Sequence, residues 1–263
     1  MEVIRVVVNG ALGRMGQEVI KAVGREPELK LVGAAEKNVT QKYLPLLHDF
    51  VPFSSDLESL LNSCNAHVVV DFTTAEVSMK AARVATKQQV NLVIGTTGLS
   101  QENLAEIGQM CQDNAVGAVV APNFSLGAVV LMHLAKIAAR FFEHAEILEM
   151  HHDKKIDAPS GTAINTARGM VEAHGTSFIF PKTDREIIEG TRGGQIEGIA
   201  IHSLRLPGFM AGQEVILAKT GETLSLRHEI ISRESYMPGV ILAVKEVTNR
   251  KGLTYGLDAL LDL

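Results

Sequence analysis

The 263-residue sequence has no tryptophan, only two cysteines and no excess of basic charge. Its formal net charge is −5 at pH 7, whereas proteins that bind nucleic acids or membrane surfaces usually present a basic face. We therefore expect neither kind of partner, and no apolar run is long enough to cross a membrane. Cys64 and Cys111 have no spacing typical of a disulfide framework or a metal site. We therefore expect both cysteines to be buried free thiols, as in proteins of the reducing cytoplasm. We expect no metal site.

In the first half of the chain, strand-like apolar runs alternate regularly with helical apolar patterns. Ile4 to Val8 reads as a buried strand, Arg14 to Val23 has helical spacing, and Leu29 to Ala35 returns to strand character. Further elements follow in the same alternation, with strands at Val68–Phe72, Asn91–Ile94 and Ala118–Ala121 and helices at Ala75–Gln88 and Gln101–Asn114. This order predicts an α/β fold with a Rossmann-type doubly wound parallel sheet.

After Pro122 the pattern changes and predicts a second α/β domain with a mixed open sheet. The predicted helices are Leu126–Phe142 and Thr162–Glu172, and the predicted strands are Ala145–Met150, Ile196–Leu206, Glu214–Ala218 and Thr223–Ile230. We place a dinucleotide-binding domain at 1–124 and a domain for substrate binding and oligomerisation at 125–234. A last helical pattern lies between Val240 and Val247, and residues 235–263 are open to packing back on the first domain.

A glycine-rich loop joins the first strand to the first helix. Its spacing is G-x-x-G-x-x-G, from Gly10 through Gly13 to Gly16, rather than the standard G-x-G-x-x-G. Free amides and the positive end of the helix dipole favour a pyrophosphate at this position. The residues predicted to contact a dinucleotide here are Gly10, Ala11, Leu12, Gly13, Arg14 and Met15.

An acidic residue ends the second strand at the distance from the loop that adenosine ribose recognition requires. Glu36 would accept hydrogen bonds from the ribose hydroxyls, and the adjacent Lys37 would neutralise the 2′-phosphate of NADP. The pair therefore predicts use of both NADH and NADPH. A solvent-exposed Glu–Lys pair is the alternative.

Two further segments follow predicted strands, at the sheet edge where α/β proteins bind ligands. Their residues are Gly95, Thr96 and Thr97 in the first and Ala121, Pro122, Asn123 and Phe124 in the second. The first segment is predicted to approach the nicotinamide ribose, and the second to frame the nicotinamide ring. Ordinary strand-to-helix turns explain the same spacing equally well.

The stretch EMHHDKKIDAPSGTA, from Glu149 to Ala163, concentrates imidazoles, ammonium groups and a helix start in an acidic chain. Two histidines can change protonation near neutral pH, and two lysines keep positive charge beside them. Ser160 is a predicted N-cap, and the amides that follow it lack intrahelical acceptors. The cluster predicts a catalytic site that binds an anion, although a solvated loop before a capped helix would explain any one of its residues.

Taken in order, the glycine loop, GTTG, APNFS and HHDKKIDAPSGTA resemble the dihydrodipicolinate reductase family, also called 4-hydroxy-tetrahydrodipicolinate reductase. The resemblance covers nearly the whole chain, and the HHDKKIDAPSGTA block is its most specific part. It implies an NAD(P)H-dependent reduction of a cyclic dicarboxylate to tetrahydrodipicolinate in diaminopimelate and lysine biosynthesis, carried out by a homotetramer. It also implies site roles: proton transfer for His151 and Lys155, and substrate binding for His152, Ser160, Gly161 and Thr162.

Two other hypotheses stay open at this point. An NAD(P)-dependent dehydrogenase of the aspartate or homoserine type shares the glycine loop and a hinged second domain, but it does not carry the HHDKKIDAPSGTA block. A catalytically silent NADP-sensing protein would use the fold as a binding module, and it would not need His151 and Lys155 together.

Overall fold

The computed structural model describes residues 2–46, 49–261 and 263. The chain divides into two compact units, and each is described by itself. The first comprises the residues up to Leu126 together with Tyr236–Leu263, and the second is Gly127–Ser235. None of the helices in the described ranges is long and apolar enough to cross a membrane.

The strands and helices are numbered separately in chain order. The strands are β1 (Ile4–Asn9), β2 (Leu29–Ala35), β3 (Tyr43–Pro45), β4 (Phe50–Ser54), β5 (Val68–Asp71), β6 (Asn91–Ile94), β7 (Gly117–Val120), β8 (His144–His151), β9 (Gly194–Ile196), β10 (Ile199–Arg205), β11 (Ala211–Lys219), β12 (Glu222–Ile230) and β13 (Gly252–Tyr255). The helices are α1 (Arg14–Arg25), α2 (Leu57–Cys64), α3 (Ala75–Lys87), α4 (Gln101–Asn114), α5 (Leu126–Ala139), α6 (Gly161–His174) and α7 (Met237–Val247). Two short 3₁₀ segments lie at Arg233–Tyr236 and Asp258–Leu260.

The first unit is built on an eight-stranded sheet with the order β13-β7-β6-β5-β1-β2-β4-β3. Every neighbouring pair is parallel except β3 and β4. Helices α2, α3 and α4 supply the core on one face, while α1 and α7 pack together. The predicted Rossmann-type doubly wound sheet is confirmed. The C-terminal helix α7 packs in this unit, against β5, β6 and β7.

The strand order reverses at β1, where ligands bind in open α/β sheets. From β1 the chain first moves outward through β2 and β4, and then returns to β5 on the other side of β1. The loops that follow β1 and β5 therefore leave the same edge of the sheet side by side. Gly10 and Thr73 mark this proximity, because a β-carbon on Gly10 would lie 2.7 Å from the Thr73 Cγ2.

Three helices of this unit begin at a side-chain cap that follows a strand. The Asp56 carboxylate accepts hydrogen bonds from the first amides of α2, and the Thr74 hydroxyl accepts one from Val77 in α3. Ser100 and Asn103 form a capping box at the start of α4. Each cap satisfies amides that have no intrahelical partner, so the helix starts are fixed locally by sequence.

The second unit is a five-stranded sheet with the order β12-β11-β8-β10-β9, in which β8 and β10 are parallel and the other pairs antiparallel. Helices α5 and α6 pack on one face, where Ile147, Val215 and Leu217 of the sheet are fully buried. Most residues of the edge strand β12 are exposed, and only its last residue, Ile230, is buried. The predicted mixed open sheet is confirmed.

Several predicted elements have other bounds in the structure. The strand predicted at Ile196–Leu206 is wrong as a single element, because Glu197 and Gly198 have φ angles of +47° and +84° and turn the chain between β9 and β10. Positive φ at both central residues is the requirement of a tight hairpin turn. Helix α5 ends at Ala139, three residues before the predicted Phe142, and β5 ends at Asp71. Elements β3, β4, α2 and β13 were not predicted.

Gly16 tests the packing of the glycine loop against α1. A β-carbon at Gly16 would lie 2.1 Å from the Gly10 carbonyl oxygen, so we expect Gly16→Ala to lower the free energy of unfolding by about 1–3 kcal/mol. Gly24 in the same helix has open space around it, and Gly24→Ala should not destabilise the protein, since alanine favours helix. Urea unfolding of both variants is the measurement. Equal stabilities would contradict the tight contact.

Candidate active site

The glycine loop is held at the switch point of the first sheet by its own backbone. The amides of Gly10 and Ala11 donate to the Ala35 carbonyl at 2.9 and 3.1 Å, and the Gly13 amide donates to the Gly10 carbonyl at 3.0 Å. Gly10 has a φ of +78°, which favours glycine. Helix α1 follows Gly13, which has no side chain to cap it. The first amides of α1 are therefore suited to binding an anion.

Glu36 lies beside this loop, as the sequence predicts. Its carboxylate accepts hydrogen bonds from the Leu12 amide at 3.0 Å and from the Lys37 amide at 2.8 Å. Glu36 is half-buried and Lys37 is exposed. One carboxylate thus connects the end of β2 to the middle of the glycine loop, with the exposed Lys37 next to it in sequence.

Asp71 is a fully buried carboxylate at the end of β5, and sequence reasoning missed it. It accepts hydrogen bonds from the side chains of Asn9 at 2.5 Å, Thr73 at 2.7 Å, Ser78 at 2.7 Å and Thr96 at 3.1 Å. The Thr73 amide also donates to it, at 2.9 Å. The ends of β1, β5 and β6 and the first turn of α3 are therefore joined through one carboxylate.

The contacts of Thr96 and Phe124 limit what their side chains offer to a cofactor. The buried Thr96 hydroxyl is engaged with Asp71 and Ser78, and Phe124 packs its ring 5.4 Å from that of Phe72. Phe124 is 2% exposed, so its side chain serves the core. These two positions can approach a ligand only through their backbones.

The remaining predicted cofactor residues lie at the same sheet edge. A β-carbon at Gly95 would overlap the Phe72 ring at 2.0 Å, and the Ala121 amide donates to the Ile94 carbonyl at 3.1 Å. The Asn123 side chain accepts from the Ser125 amide at 2.9 Å. The others differ in exposure, with Met15 half-buried and Arg14, Thr97 and Pro122 exposed.

In the second unit, His151 is the last residue of β8. The His151 Nδ1 lies 2.5 Å from the Oε2 of Glu149, two residues earlier on the same face of the strand. The Glu149 side chain is fully buried, whereas that of His151 is 17% exposed. Burial raises the pKa of the Glu149 carboxyl, but hydrogen bonds from His151, Arg205 and Ser203 together outweigh burial and bring it to about 2.

Arg205, at the end of β10, connects Glu149 to the loop that carries Lys155. Its guanidinium donates to both Glu149 oxygens, at 2.7 and 3.1 Å, and to the Asp157 carbonyl at 2.7 Å. The Lys155 Nζ donates in turn to both oxygens of the Asp157 carboxylate, at 2.7 and 2.9 Å. A continuous set of contacts thus joins the two predicted proton-transfer residues, His151 and Lys155.

The predicted anion-binding residues lie in and after the same loop. The Ser160 hydroxyl caps α6 by accepting from the Ala163 amide at 3.2 Å, as the sequence predicts. Gly161 has open space where a side chain would stand, and Thr162 is half-buried. The half-buried His152 contributes its carbonyl, which accepts from the Lys155 amide at 3.2 Å. Among the described residues, no hydrogen bond joins the His152 side chain or the amides of Gly161 and Thr162 to the side chains of His151 and Lys155.

A second carboxylate on β8 has chemically similar partners. The Glu146 carboxylate accepts from the Arg192 guanidinium at 2.7 Å and lies 2.9 Å from the His202 Nε2. Arg192 also lies over the Phe180 ring, 5.1 Å from its centre. Arg192 is therefore an ion-paired side chain that is only partly exposed.

Sequence reasoning assigned no role to Glu149, Asp71 or Arg205, although the sequence carried a signal for the first two. Glu149 stands two residues before His151 in a predicted strand, which places both on one face. Asp71 ends an all-valine strand at the ligand-binding edge. Arg205 had no local signal, because it lies 56 residues from its partner Glu149. Within the described ranges, no group of three His, Cys, Asp or Glu side chains could hold a metal ion.

Comparison with known proteins decides the family. The profile described as "Dihydrodipicolinate reductase, N-terminus" matches residues 4–124, and "Dihydrodipicolinate reductase, C-terminus" matches residues 127–261. The chain belongs to the dihydrodipicolinate reductase family. This confirms the resemblance predicted from sequence.

Relatives and a solved structure agree with this assignment over the full length. The chain is 49% identical to a 4-hydroxy-tetrahydrodipicolinate reductase of Dehalococcoides mccartyi strain BAV1, with 100% of both chains covered. It is 46% identical to the Moorella thermoacetica reductase, with 98% of each covered. The dipicolinate-bound dihydrodipicolinate reductase of Paenisporosarcina sp. TG-14 superposes with a TM-score of 0.88 at 37% identity, covering 97% of this chain and 98% of that one.

The Asp71 network predicts a large stability cost. Asp71→Ala removes a carboxylate that accepts from four side chains and one amide, so the free energy of unfolding should fall by about 3 kcal/mol or more. Asp113 is exposed, and Asp113→Ala should change stability by about 0.5 kcal/mol or less. Urea unfolding compares the two, and similar small losses would contradict the buried network.

Glu149 predicts a pH dependence of stability. Its folded-state pKa of about 2 lies below the ordinary value of 4.5, so its ionised form contributes about 3 kcal/mol above pH 4.5, and that contribution is lost as the pH falls towards 2. The stability difference between the wild type and Glu149→Gln should therefore shrink over this range. Urea unfolding at several pH values measures it, and a constant difference would contradict the prediction.

Proposed function

We propose that this chain catalyses the NAD(P)H-dependent reduction of 4-hydroxy-tetrahydrodipicolinate to tetrahydrodipicolinate in diaminopimelate and lysine biosynthesis. The overall reaction consumes one NAD(P)H and one proton and releases NAD(P)⁺ and water. Membership of the family supports this activity, as does the cyclic dicarboxylate bound in the related Paenisporosarcina structure. The observation that carries the proposal is the set of contacts joining His151 with Lys155 through Glu149, Arg205 and Asp157.

The proton-transfer roles follow from the chemistry of the reduction. The nicotinamide supplies the hydride when it is bound, and negative charge then develops along the conjugated system of the substrate. The Lys155 ammonium is a compact cation that can donate a proton to this charge. The His151 imidazole has two ring nitrogens, one of which can donate a proton while the other accepts one. We assign both residues as the proton-transfer groups.

The two carboxylates of the substrate require separate anion sites. We assign the amides that follow the Ser160 cap, at Gly161 and Thr162, to one carboxylate, because the start of α6 attracts negative charge. The His152 side chain, with the positive charge of the same loop, is assigned to the other. Open space at Gly161 supports the approach of a ligand to this backbone.

The residues at the switch point of the first sheet would hold the dinucleotide. The pyrophosphate is assigned to the loop from Gly10 to Met15, where the first amides of α1 can face an anion, and the adenosine ribose is assigned to Glu36. The nicotinamide end is assigned to the two segments Gly95–Thr97 and Ala121–Phe124. Thr96 and Phe124 take part through their backbones, since their side chains are buried.

Use of both NADH and NADPH is part of this proposal. The Glu36 carboxylate is placed beside Leu12, where it can accept from ribose hydroxyls, and this favours NADH. Lys37 is exposed next to it and can pair with the 2′-phosphate of NADPH. Neither cofactor is excluded by the charges present.

We also propose a homotetramer located in the cytoplasm. The sheet of the second unit carries its helices on one face, so its other face, which includes part of β12, is open to association. Light scattering on the purified protein should give a mass four times that of one chain. Cys64 and Cys111 are free thiols, which suits a reducing compartment.

The activity and its proton-transfer residues are tested together. The purified protein should oxidise NAD(P)H when mixed with the fresh condensation product of pyruvate and aspartate semialdehyde, as followed by absorbance. His151→Ala and Lys155→Ala should each lower kcat by about 100-fold or more, while the dinucleotide Kd stays within about twofold. Lys154→Ala removes the neighbouring lysine and serves as the control, with a smaller loss. Absence of oxidation by the wild type would overturn the proposed reaction.

The dual cofactor use predicts opposite effects of two neighbouring substitutions. Glu36→Ala should raise the KM for NADH about 10-fold, and Lys37→Ala should raise the KM for NADPH by a similar factor, each with less effect on the other cofactor. Lys30 is an exposed lysine on β2, and Lys30→Ala is the matched control. If both substitutions leave both constants unchanged, Glu36 and Lys37 do not contact the cofactor.

A further inference from the structure

Glu149 stands out because a charged carboxylate occupies a position that a hydrophobic side chain could fill. It lies on the same face of β8 as the buried Ala145 and Ile147, and its side chain is fully buried. A buried ion pair is on average a poor source of stability compared with apolar packing. The charge at this position therefore calls for a role other than holding the sheet together.

The contacts of Glu149 leave only one arrangement of the His151 proton. With a pKa of about 2 the carboxylate is ionised at neutral pH, so it can only accept hydrogen bonds. The His151 Nδ1 at 2.5 Å must therefore carry a hydrogen and donate it. The other ring nitrogen, Nε2, is then left to exchange a proton with a ligand.

Arg205 keeps this acceptor in place. It holds both oxygens of Glu149 with two parallel N–H groups, a geometry that fixes the plane of the carboxylate. Arg205 and Glu149 come from the neighbouring parallel strands β10 and β8. The carboxylate orientation is thus set by the sheet rather than by the loop after His151.

We propose that Glu149, held by Arg205, is a positioning residue that fixes the His151 ring with Nδ1 protonated and Nε2 presented to the substrate. This inference rests on the proposed function, because it assigns no chemistry of its own to Glu149. It extends that function by placing the control of the His151 tautomer on the central strand of the second sheet.

The first test is the protonation state of His151 in the unmodified protein. Nitrogen NMR of histidine-labelled protein at neutral pH distinguishes the two neutral tautomers, and His151→Ala identifies the signal. We expect protonated Nδ1 in the wild type and a shift towards protonated Nε2 in Glu149→Gln. The shift is expected because the amide oxygen of glutamine would accept from Arg205 and leave its NH₂ group facing the ring. Protonated Nε2 in the neutral wild-type ring would overturn the inference.

The second test separates positioning from folding. Glu149→Gln should lower kcat by about 100-fold and leave the dinucleotide Kd within about twofold. Glu146→Gln is the matched control, because Glu146 is also paired with an arginine and a histidine on β8 but has no contact with His151. We expect it to change kcat by about twofold or less. Equal kcat losses in the two variants would overturn the inference.

A double variant distinguishes failure of this inference from failure of the proposed function. In the His151→Ala background, adding Glu149→Gln should lower kcat by about twofold or less, because the ring it positions is absent. If His151→Ala alone keeps full activity, the proton role assigned to His151 is wrong. If His151→Ala loses activity and Glu149→Gln does not, the proposed reaction stands and the positioning role of Glu149 is wrong.

Discussion

The bidentate pairing of Arg205 with the buried Glu149 carboxylate joins the ends of β10 and β8, and the arrangement of His151 depends on it. A carboxylate removed from water needs donors on every side, and those donors must come from whatever segments lie nearby. Here they come from His151 at the end of β8 and from Arg205 at the end of β10. Arg205 also donates to the Asp157 carbonyl, which ties the loop that carries Lys155 to the same pair. Satisfying one buried charge therefore brings together segments that are far apart in sequence.

The first unit uses a buried carboxylate in a different way. Asp71 is surrounded by the neutral donors of Asn9, Thr73, Ser78 and Thr96, which end or follow the strands at the switch point. Neutral hydroxyl and amide donors hold the loops rigidly and offer no proton of suitable acidity. Glu149, in contrast, is paired with an imidazole, whose two ring nitrogens can donate and accept protons. The first arrangement suits the holding of a cofactor, and the second suits the handling of a proton.

Local patterns were sufficient to predict the repeating parts of the fold. The valine-rich strands, the glycine loop, the position of Glu36 and the Ser160 cap depend on residues close in sequence, and periodicity or capping chemistry identifies them. Short elements such as β3 and β4 contain Pro45 and Pro52 and lack a clear period.

The networks were not predictable for a different reason. Arg205 meets Glu149 across 56 residues, and Asn9 meets Asp71 across 62, so no window of sequence contains both partners. A lone acidic residue in a strand pattern is ordinarily assigned to the solvent face. The pairing of β8 with β10 brings Arg205 to Glu149, and the pairing of β1 with β5 brings Asn9 to Asp71. These partners make burial of the two carboxylates possible.

The pleat of β8 has a consequence for how this site can change. Because side chains alternate along a strand, Glu149 and His151 share one face and Glu146 points to the other. A single residue inserted between Glu149 and His151 would turn the imidazole away from its carboxylate while leaving every side chain present. The spacing of Glu149 and His151 along β8 is therefore a stricter requirement than the identity of the residues around them. A design that moves this pair to another protein would have to keep the strand intact.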